Sequence, residues 1–366
     1  MPLKIKQMKS KQSKQSSSII ASDSVSDFSS GVSVKSDKVA IVAQLGELAS
    51  AIEQKATESE NQKEIENPEE MHCPLEFKLD LSMIIQKNGK TDEFYNLVLQ
   101  SYLEKQNKPT EYLFQDPKGL DDEERIRFLN WLVEITQAYS MNYSTFFIVC
   151  SILDEYQKIT RNVTKDNLHL TGVSCIYLAS KFNDVIPLRL DQAIDISHHR
   201  LARTKILQRE LEIFESLDHQ LNFSNGFLFL TLLLRLYLSK IKDKENDIIE
   251  IAYFTLKLCC FDYILQSMYY QSEISAGCLS FAVMLVNSNN QGKVSDDIAT
   301  SLVHLLKTTN VVKSQYVTDV GAHIEGLVDR YFYDTDFRGK IQKLIVYNLT
   351  QTELLKSYIE IRNNDS

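Results

Sequence analysis

The chain has 366 residues, 43% of them hydrophobic, and a formal net charge of −9. This length can bury two medium-sized cores once a tail is removed, so we expect two domains. The acidic balance argues against a general nucleic-acid-binding protein, because neutralising phosphates needs a basic face.

The N-terminal part of the chain has the composition of a disordered tail. Residues 1–38 are rich in Ser and Lys with few large apolar side chains, and residues 57–70 are strongly charged. Neither stretch can offset its ordering entropy by burial. A short apolar pattern at helical spacing lies between them, but it is too short to predict a helix that is stable alone. We therefore predict that residues 1–90 are mostly disordered.

From residue 92 onward, helical apolar patterns follow one another with short polar breaks. The first five are DEFYNLVLQSYLEKQ, ERIRFLNWLVEITQAYS, STFFIVCSILDEYQK, LHLTGVSCIYLA and ARTKILQRELEIFESL. The most apolar run, GFLFLTLLLRLYL, is short and contains Arg235, which is typical of a buried helix rather than a membrane span. Only six prolines and eleven glycines occur, and apolar and polar residues rarely alternate. The sequence therefore predicts an all-α fold.

The fourth of these segments, LHLTGVSCIYLA, is apolar or small on nearly every face. A helix without a polar stripe belongs inside a bundle, so this segment is predicted to be a central helix. Lys181 follows where that packing ends. On composition alone, the favoured interpretation is a lysine whose stem lies on the core and whose ammonium reaches water.

Two opposite charges, Arg125 and Asp154, stand in helices that are otherwise apolar. Such charges are tolerated if they pair, and a guanidinium-carboxylate pair is the natural arrangement. We expect this pair to fix the register of the two helices.

Motifs for chemistry are missing from the sequence. It contains no Gly-rich phosphate loop, HExxH, GxSxG or Cys/His metal spacing. His198 and His199 lie in a polar stretch that is typical of a surface loop rather than a metal site. Six cysteines show no CxxC spacing, which favours reduced core residues in a cytosolic or nuclear protein. We predict no catalytic residue, metal or cofactor, and a helical interaction protein rather than an enzyme.

The order RIRFLNWLVEI, SILDEY, LHLTGVSCIYLASKF and ILQRELEIFESLDHQL resembles the cyclin box, the five-helix domain by which cyclins bind and activate cyclin-dependent kinases. Cyclins carry five diagnostic positions in this box, and the matching residues here are Arg125, Asp154, Leu170, Lys181 and Glu210. Upstream, the similarity extends to the N-terminal helix and linker of mitotic, A- or B-type cyclins. Downstream, it implies a second, more divergent box.

The resemblance implies that the chain binds and activates a cyclin-dependent Ser/Thr protein kinase. Lys181 would point its ammonium at backbone carbonyls beside the mobile regulatory helix of the kinase, and Glu210 would accept hydrogen bonds there. The apolar contact residues implied around them are Phe182, Phe214, Leu217 and Leu221, with a second strip at Phe94, Leu97, Val98 and Tyr102. Because both charges would serve a partner, we expect their replacement by Ala to leave stability close to wild type.

Cyclins also carry a substrate-docking patch, and the residues that match it here are Phe128, Trp131, Glu134, Leu168 and Ile196. Glu124 and Arg127 stand at two patch positions that are apolar in cyclins. Arg127 would face the arginine of typical docking peptides, and like charges disfavour binding. We therefore expect substrates to bind, if at all, through a modified groove with altered specificity.

The resemblance divides the chain into a tail over residues 1–90, an N-terminal helix plus first box over 91–222, a second box over 223–347, and a C-terminal extension over 348–366. We expect a regulator of cell-cycle progression, with a mitotic role, in nucleus and cytoplasm. Binding of nucleic acid or of a membrane is not expected.

Two alternatives remain open. One is a cyclin-like scaffold that does not activate a kinase, which His219 favours because cyclins often place an aromatic residue at that position. The other is the cyclin-box transcription factor that bridges polymerase and promoter DNA. The acidic balance and the lack of paired CxxC motifs argue against this second alternative.

Overall fold

The computed structural model describes residues 90–107, 109, 120–238, 245–288, 296–309, 311 and 314–364. The predicted tail up to residue 89 lies outside these ranges. Within them every regular element is an α-helix and no strand occurs, which confirms the predicted all-α fold.

The first bundle contains the helices that match the predicted patterns up to residue 216, together with one short helix before the last of them. They are α1 (Lys90–Lys105), α2 (Asp122–Ala138), α3 (Tyr143–Thr160), α4 (Leu168–Asn183), α5 (Leu190–Ile196) and α6 (Arg203–Ser216).

Local sequence explains where α2 and α3 begin. Asp121 caps α2, and its side chain accepts a hydrogen bond of 2.7 Å from the backbone N–H of Glu124. Asn142 caps α3 in the same way through the N–H of Ser144, at 3.0 Å. Both caps satisfy amides that a helix leaves without an internal partner. Helix α3 ends at Arg161, which adopts a left-handed conformation with φ 50°.

Helix α4 is the central helix of the first bundle, packed between α3 and α6. Its residues from Thr171 to Ile176 are all buried, as expected for a helix without a polar stripe. Gly172 allows a close approach here, because a Cβ at this position would lie 2.3 Å from the ring of Phe128 on α2. A side chain at residue 172 would push α2 and α4 apart.

The second bundle follows the first along the chain. Its helices are α7 (Gly226–Leu238), α8 (Glu245–Cys259), α9 (Tyr263–Met268), α10 (Gln271–Ser288), α11 (Asp296–Thr308), α12 (Ser314–Tyr333), α13 (Thr335–Lys340), α14 (Gln342–Tyr347) and α15 (Leu349–Asn364). Helix α10 is central and packs on α7, α8 and α12. Helix α7 is the most apolar run of the sequence, and it lies in this core. Across the described ranges, no helix combines the length and apolarity that crossing a bilayer requires.

Two helices connect the bundles from opposite ends of the chain. Helix α1 packs on α7, and the Gln100 side chain donates a 2.8 Å hydrogen bond to the carbonyl of Thr309. Helix α14 packs on α2, where Asn130 Oδ1 accepts a 2.8 Å hydrogen bond from the backbone N–H of Lys343. Helix α15, in the predicted C-terminal extension, packs on α8 and α10.

Candidate functional site

A surface groove runs between the end of α4 and helix α6, with a volume of about 630 Å³. We call it the α4–α6 groove. It is lined by Leu178, Lys181, Phe182, Leu207, Glu210, Leu211, Phe214, His219 and Leu221. Its floor and walls are mostly apolar, and two charges of opposite sign stand among them.

Those two charges, Lys181 and Glu210, form an ion pair with each other across the groove. The Lys181 side chain is 40% exposed and that of Glu210 only 12% exposed. The Lys181 ammonium also lies 4.3 Å from the centre of the Tyr177 ring, in a cation–π contact. The lysine is therefore placed to reach solvent, whereas the carboxylate depends on the lysine for its charge compensation.

Of the four predicted apolar contact residues, three line the groove and one does not. Phe182 is half exposed at its rim, Phe214 is half buried, and Leu221 is buried at its base. Leu217 is only 4% exposed, lies in the core and does not line the groove, so it offers a partner little surface. His219 stacks edge-on against Phe214 with ring centres 4.9 Å apart and closes one end of the groove.

Sequence reasoning missed two residues of the groove wall, Leu207 and Leu211. Both are exposed, and they lie one turn apart on the same face of α6. Their i, i+4 spacing, offset from that of the buried Ile206 and Ile213, was the available signal. Val185 and Ile186, directly after α4, are almost fully exposed and extend the apolar surface beyond Phe182.

The four residues of the second predicted apolar strip lie on two different faces of α1. Phe94 and Leu97 are exposed, whereas Val98 and Tyr102 pack against the core. Helix α1 therefore presents Phe94 and Leu97 outward while its opposite face lies on α7.

Arg125 and Asp154 form a bidentate ion pair between α2 and α3. Arg125 is 4% exposed, and its Nη2 donates to Asp154 Oδ2 at 3.0 Å while Nη1 pairs with Oδ1. Burial alone would lower the pKa of Arg125, but the charge and hydrogen bonds of Asp154 outweigh burial and raise it. The guanidinium also lies 5.2 Å from the ring centre of Tyr263 on α9, so the pair contacts the second bundle.

The residues that match the substrate-docking patch are mostly internal. Phe128, Leu168 and Ile196 are all less than a tenth exposed and belong to the core. Trp131 and Glu134 are partly exposed on α2, and Glu134 is paired with Lys343 of α14 at 2.6 Å. Three of the five residues therefore offer a substrate little surface.

Arg127, which replaces an apolar position of the patch, is held by its own helix. Its guanidinium pairs with Glu123 at 2.7 Å and with Glu124 at 3.4 Å. No cluster of His, Cys, Asp or Glu in the described ranges has the geometry to hold a metal ion. Cys150, Cys175, Cys259, Cys260 and Cys278 are free and buried.

Comparison with known proteins places residues 93–222 in the family described as "Cyclin, N-terminal domain". The chain is 22% identical to Cyclin-B1-1 of Arabidopsis thaliana over 48% of its own length and 40% of that protein. It is 26% identical to G2/mitotic-specific cyclin-B of Drosophila melanogaster over 48% of its length and 32% of that protein. It is 25% identical to G2/mitotic-specific cyclin-B3 of Caenorhabditis elegans over 49% of its length and 45% of that protein. The matched region thus spans less than half of each of these relatives.

Among solved structures, a viral cyclin from herpesvirus saimiri aligns with a TM-score of 0.47 and 19% identity. The alignment covers 66% of this chain and 96% of the viral one.

Proposed function

We propose that this chain, whose residues 93–222 match the cyclin N-terminal domain, is the regulatory subunit of a cyclin-dependent Ser/Thr protein kinase, which it binds and activates. Two of the relatives named above are called G2/mitotic-specific, and we extend that timing to this chain as part of the proposal. We propose that it acts in cell-cycle progression, in nucleus and cytoplasm, and carries no catalytic group of its own.

The observation that carries this proposal is the α4–α6 groove. Its apolar walls are continuous with the exposed side chains of Phe182, Leu207 and Leu211, and its volume suits a helix laid along it. Apolar surface of this kind in a soluble protein is typical of a partner-binding site. A kinase helix that packs there would bury these side chains and exclude water from the two charges.

The Lys181–Glu210 pair would then set the orientation of the bound helix. An ammonium has three donors, so Lys181 can keep its bond to Glu210 while it donates to carbonyls at the end of a partner helix. Helix C-termini carry excess negative partial charge, which a lysine complements. The carboxylate of Glu210 fixes where the ammonium stands.

The mechanism that follows is a shift of population in the kinase. Packing against the groove would hold the regulatory helix of the kinase inward, where its glutamate pairs with the active-site lysine. The activation loop is then free to open. This chain supplies binding free energy and no chemistry.

The test is co-purification of the chain from synchronised cells, followed by identification of the bound kinase and assay of its phosphorylation rate. Phe182→Ala removes a half-exposed aromatic side chain from the rim of the groove, and Tyr333→Ala removes a more exposed aromatic side chain from α12. We expect Phe182→Ala to weaken kinase binding tenfold or more, and Tyr333→Ala to leave it within twofold. Equal kinase binding by both variants would show that the kinase does not bind at the groove, and would contradict the proposal.

A second candidate is a scaffold that binds a kinase without activating it. It is favoured by His219, which closes the end of the groove against Phe214. The same preparation separates the two, because a scaffold would retain the kinase on the column and leave its phosphorylation rate at the level of the free kinase.

A further inference from the structure

A group of exposed cations lies outside the lining of the groove, at the turn between α5 and α6 and in the first turn of α6. Arg200, Arg203 and Lys205 are all exposed, and none of them has a carboxylate partner among the described residues. Most other cations of the first bundle do have one: Arg125, Arg127, Lys158, Lys165, Lys181 and Arg209. In a chain of net charge −9, this is a local reversal of sign.

These cations do not stabilise the helix that carries them. Helix α6 has no acidic residue in its first turn and no side-chain cap at Ala202. The N-terminal end of a helix carries positive partial charge, so Arg203 and Lys205 stand where the macrodipole disfavours them. The fold therefore gives no reason for their position.

Two histidines lie on the side of the cation group that faces α4. His198 lies two residues before Arg200 in the turn, and its backbone has φ 52°. His199, between them, lies 3.3 Å from the carboxylate of Asp195. His169, in the first turn of α4, is close enough to Arg200 and His198 that burial and these two groups together lower its pKa. Three segments of the chain thus bring positive or protonatable groups to one place.

An aromatic surface adjoins these charges. The ring of Trp131, the single tryptophan of the chain, lies 5.5 Å from the ring of His169 and is partly exposed. Glu134, one turn after Trp131 on α2, is paired with Lys343 at 2.6 Å. A ligand at Trp131 therefore meets an apolar ring beside uncompensated positive charge.

We propose that this surface, formed by Trp131, His169, Arg200, Arg203 and Lys205, binds an acidic segment of a partner protein. Carboxylates of Asp and Glu complement the three unpaired cations, and an apolar side chain of the same segment packs on Trp131. An arginine-bearing peptide meets like charges here instead. The proposal does not depend on kinase binding, since none of the five residues lines the α4–α6 groove.

The probe is a fluorescein-labelled peptide of twelve residues, rich in Glu and Asp with one Leu and one Phe. The control peptide has Lys in place of every acid. Both are titrated against the full chain, and binding is read from peptide anisotropy and, with unlabelled peptide, from emission of Trp131. We expect the acidic peptide to bind at least tenfold more tightly than the basic one, to change Trp131 emission, and to weaken as salt is raised.

Matched variants locate the site. The triple variant Arg200→Glu, Arg203→Glu, Lys205→Glu should lose tenfold or more in affinity for the acidic peptide. A control with the same change of net charge, at exposed cations elsewhere, is Lys105→Glu, Lys307→Glu, Lys356→Glu. At physiological salt charges are screened over about 8 Å, so we expect the control to bind within threefold of wild type. Melting temperatures of both variants check that they fold.

Three results would overturn the proposal. They are equal loss in the two triple variants, equal binding of the acidic and basic peptides, and tighter binding of a single-stranded oligonucleotide of the same charge. Phe182→Ala, which alters the groove alone, should leave peptide binding unchanged. That variant separates failure of this proposal from failure of the kinase proposal.

Discussion

Two buried cations lie where the bundles meet, and the groups that surround them differ. Arg125, at the contact of α2 with α3, has a bidentate carboxylate in Asp154 and the ring of Tyr263. Lys257, on α8, is 6% exposed and has two rings of α3 within about 5 Å, those of Tyr143 and Phe146. No carboxylate in the described residues pairs with it.

The consequence appears in the pKa values. Burial lowers the pKa of Lys257 to about 8, and the nearby thiols of Cys260 and Cys150 only partly oppose it. The pKa of Arg125 is raised, although this side chain is equally buried, because Asp154 outweighs the burial. An aromatic ring attracts a cation by about 0.5–2 kcal/mol, which is less than burial costs the charge. The comparison teaches that the carboxylate, not the ring, keeps a buried charge in this fold.

The largest expected effect comes from removing that carboxylate. Asp154→Ala strands the guanidinium of Arg125 in the core and should lower the free energy of unfolding by about 3–5 kcal/mol. Urea denaturation measures it, with Glu353→Ala on an exposed part of α15 as the control, expected within about 0.5 kcal/mol. Similar midpoints for the two variants would mean that the pair is not what compensates Arg125.

The second test removes the cation that lacks a carboxylate. Free lysine titrates near 10.4, so between pH 8 and 10.4 the unfolded chain holds a proton at Lys257 that the folded chain has lost. Stability therefore rises with pH across this window, and below it the penalty is constant. Lys257→Met should stabilise the protein by about 2 kcal/mol at pH 7, and the free energy of unfolding should then rise less between pH 8 and 10.4. The control is Lys307→Met at an exposed lysine, which should change neither. Lower stability of Lys257→Met at pH 7 would contradict the comparison.

A third test applies the same logic to the groove, where one member of the pair is exposed and the other is not. Lys181→Met leaves the poorly exposed carboxylate of Glu210 without its partner and should cost about 1–3 kcal/mol. Glu210→Gln leaves an ammonium that reaches water, so about 0.5 kcal/mol or less is expected. Thermal melting of both variants checks the asymmetry, and equal losses would contradict it.

The smallest effect concerns the charge on His169. Burial first, and then the charge of Arg200, lower the pKa of His169, while a hydrogen bond with the Ser197 backbone opposes them. A protonated imidazole quenches an adjacent indole, so Trp131 emission should fall only below the ordinary histidine pKa of about 6.5. Arg200→Gln should move the midpoint upward, whereas Arg161→Gln, remote from this site, should not. An unchanged pH midpoint of the Trp131 emission in Arg200→Gln would show that Arg200 does not affect the titration of His169.

Much of the fold follows from patterns that are visible in the sequence. Apolar spacing predicts α1 to α4, α6 and α7, because these helices are long and bury one face or all faces. Arg125 and Asp154 attract notice because they are opposite charges in helices rich in apolar residues, and in the structure their side chains meet. Helix α5 has no such pattern, since it is only two turns long.

What the sequence could not predict depends on how helices face each other. Lys181 and Glu210 were expected to serve a partner alone, whereas in the free chain they pair with each other. That contact depends on the angle between α4 and α6, for which no local pattern exists. The same reason explains Glu155, a charged residue of α3 that is largely buried, with its pKa raised by that burial.

The contact of α14 with α2 also has a consequence for synthesis on the ribosome. Lys343 meets Glu134 across a separation of 209 residues. At about 5–20 residues per second, α2 emerges some 10–40 s before α14 exists to cover it. Until α14 is made, the side chains of Asn130 and Glu134 and the apolar surface beneath Leu344 remain open. This face of α2 is therefore exposed in the nascent chain until α14 is made.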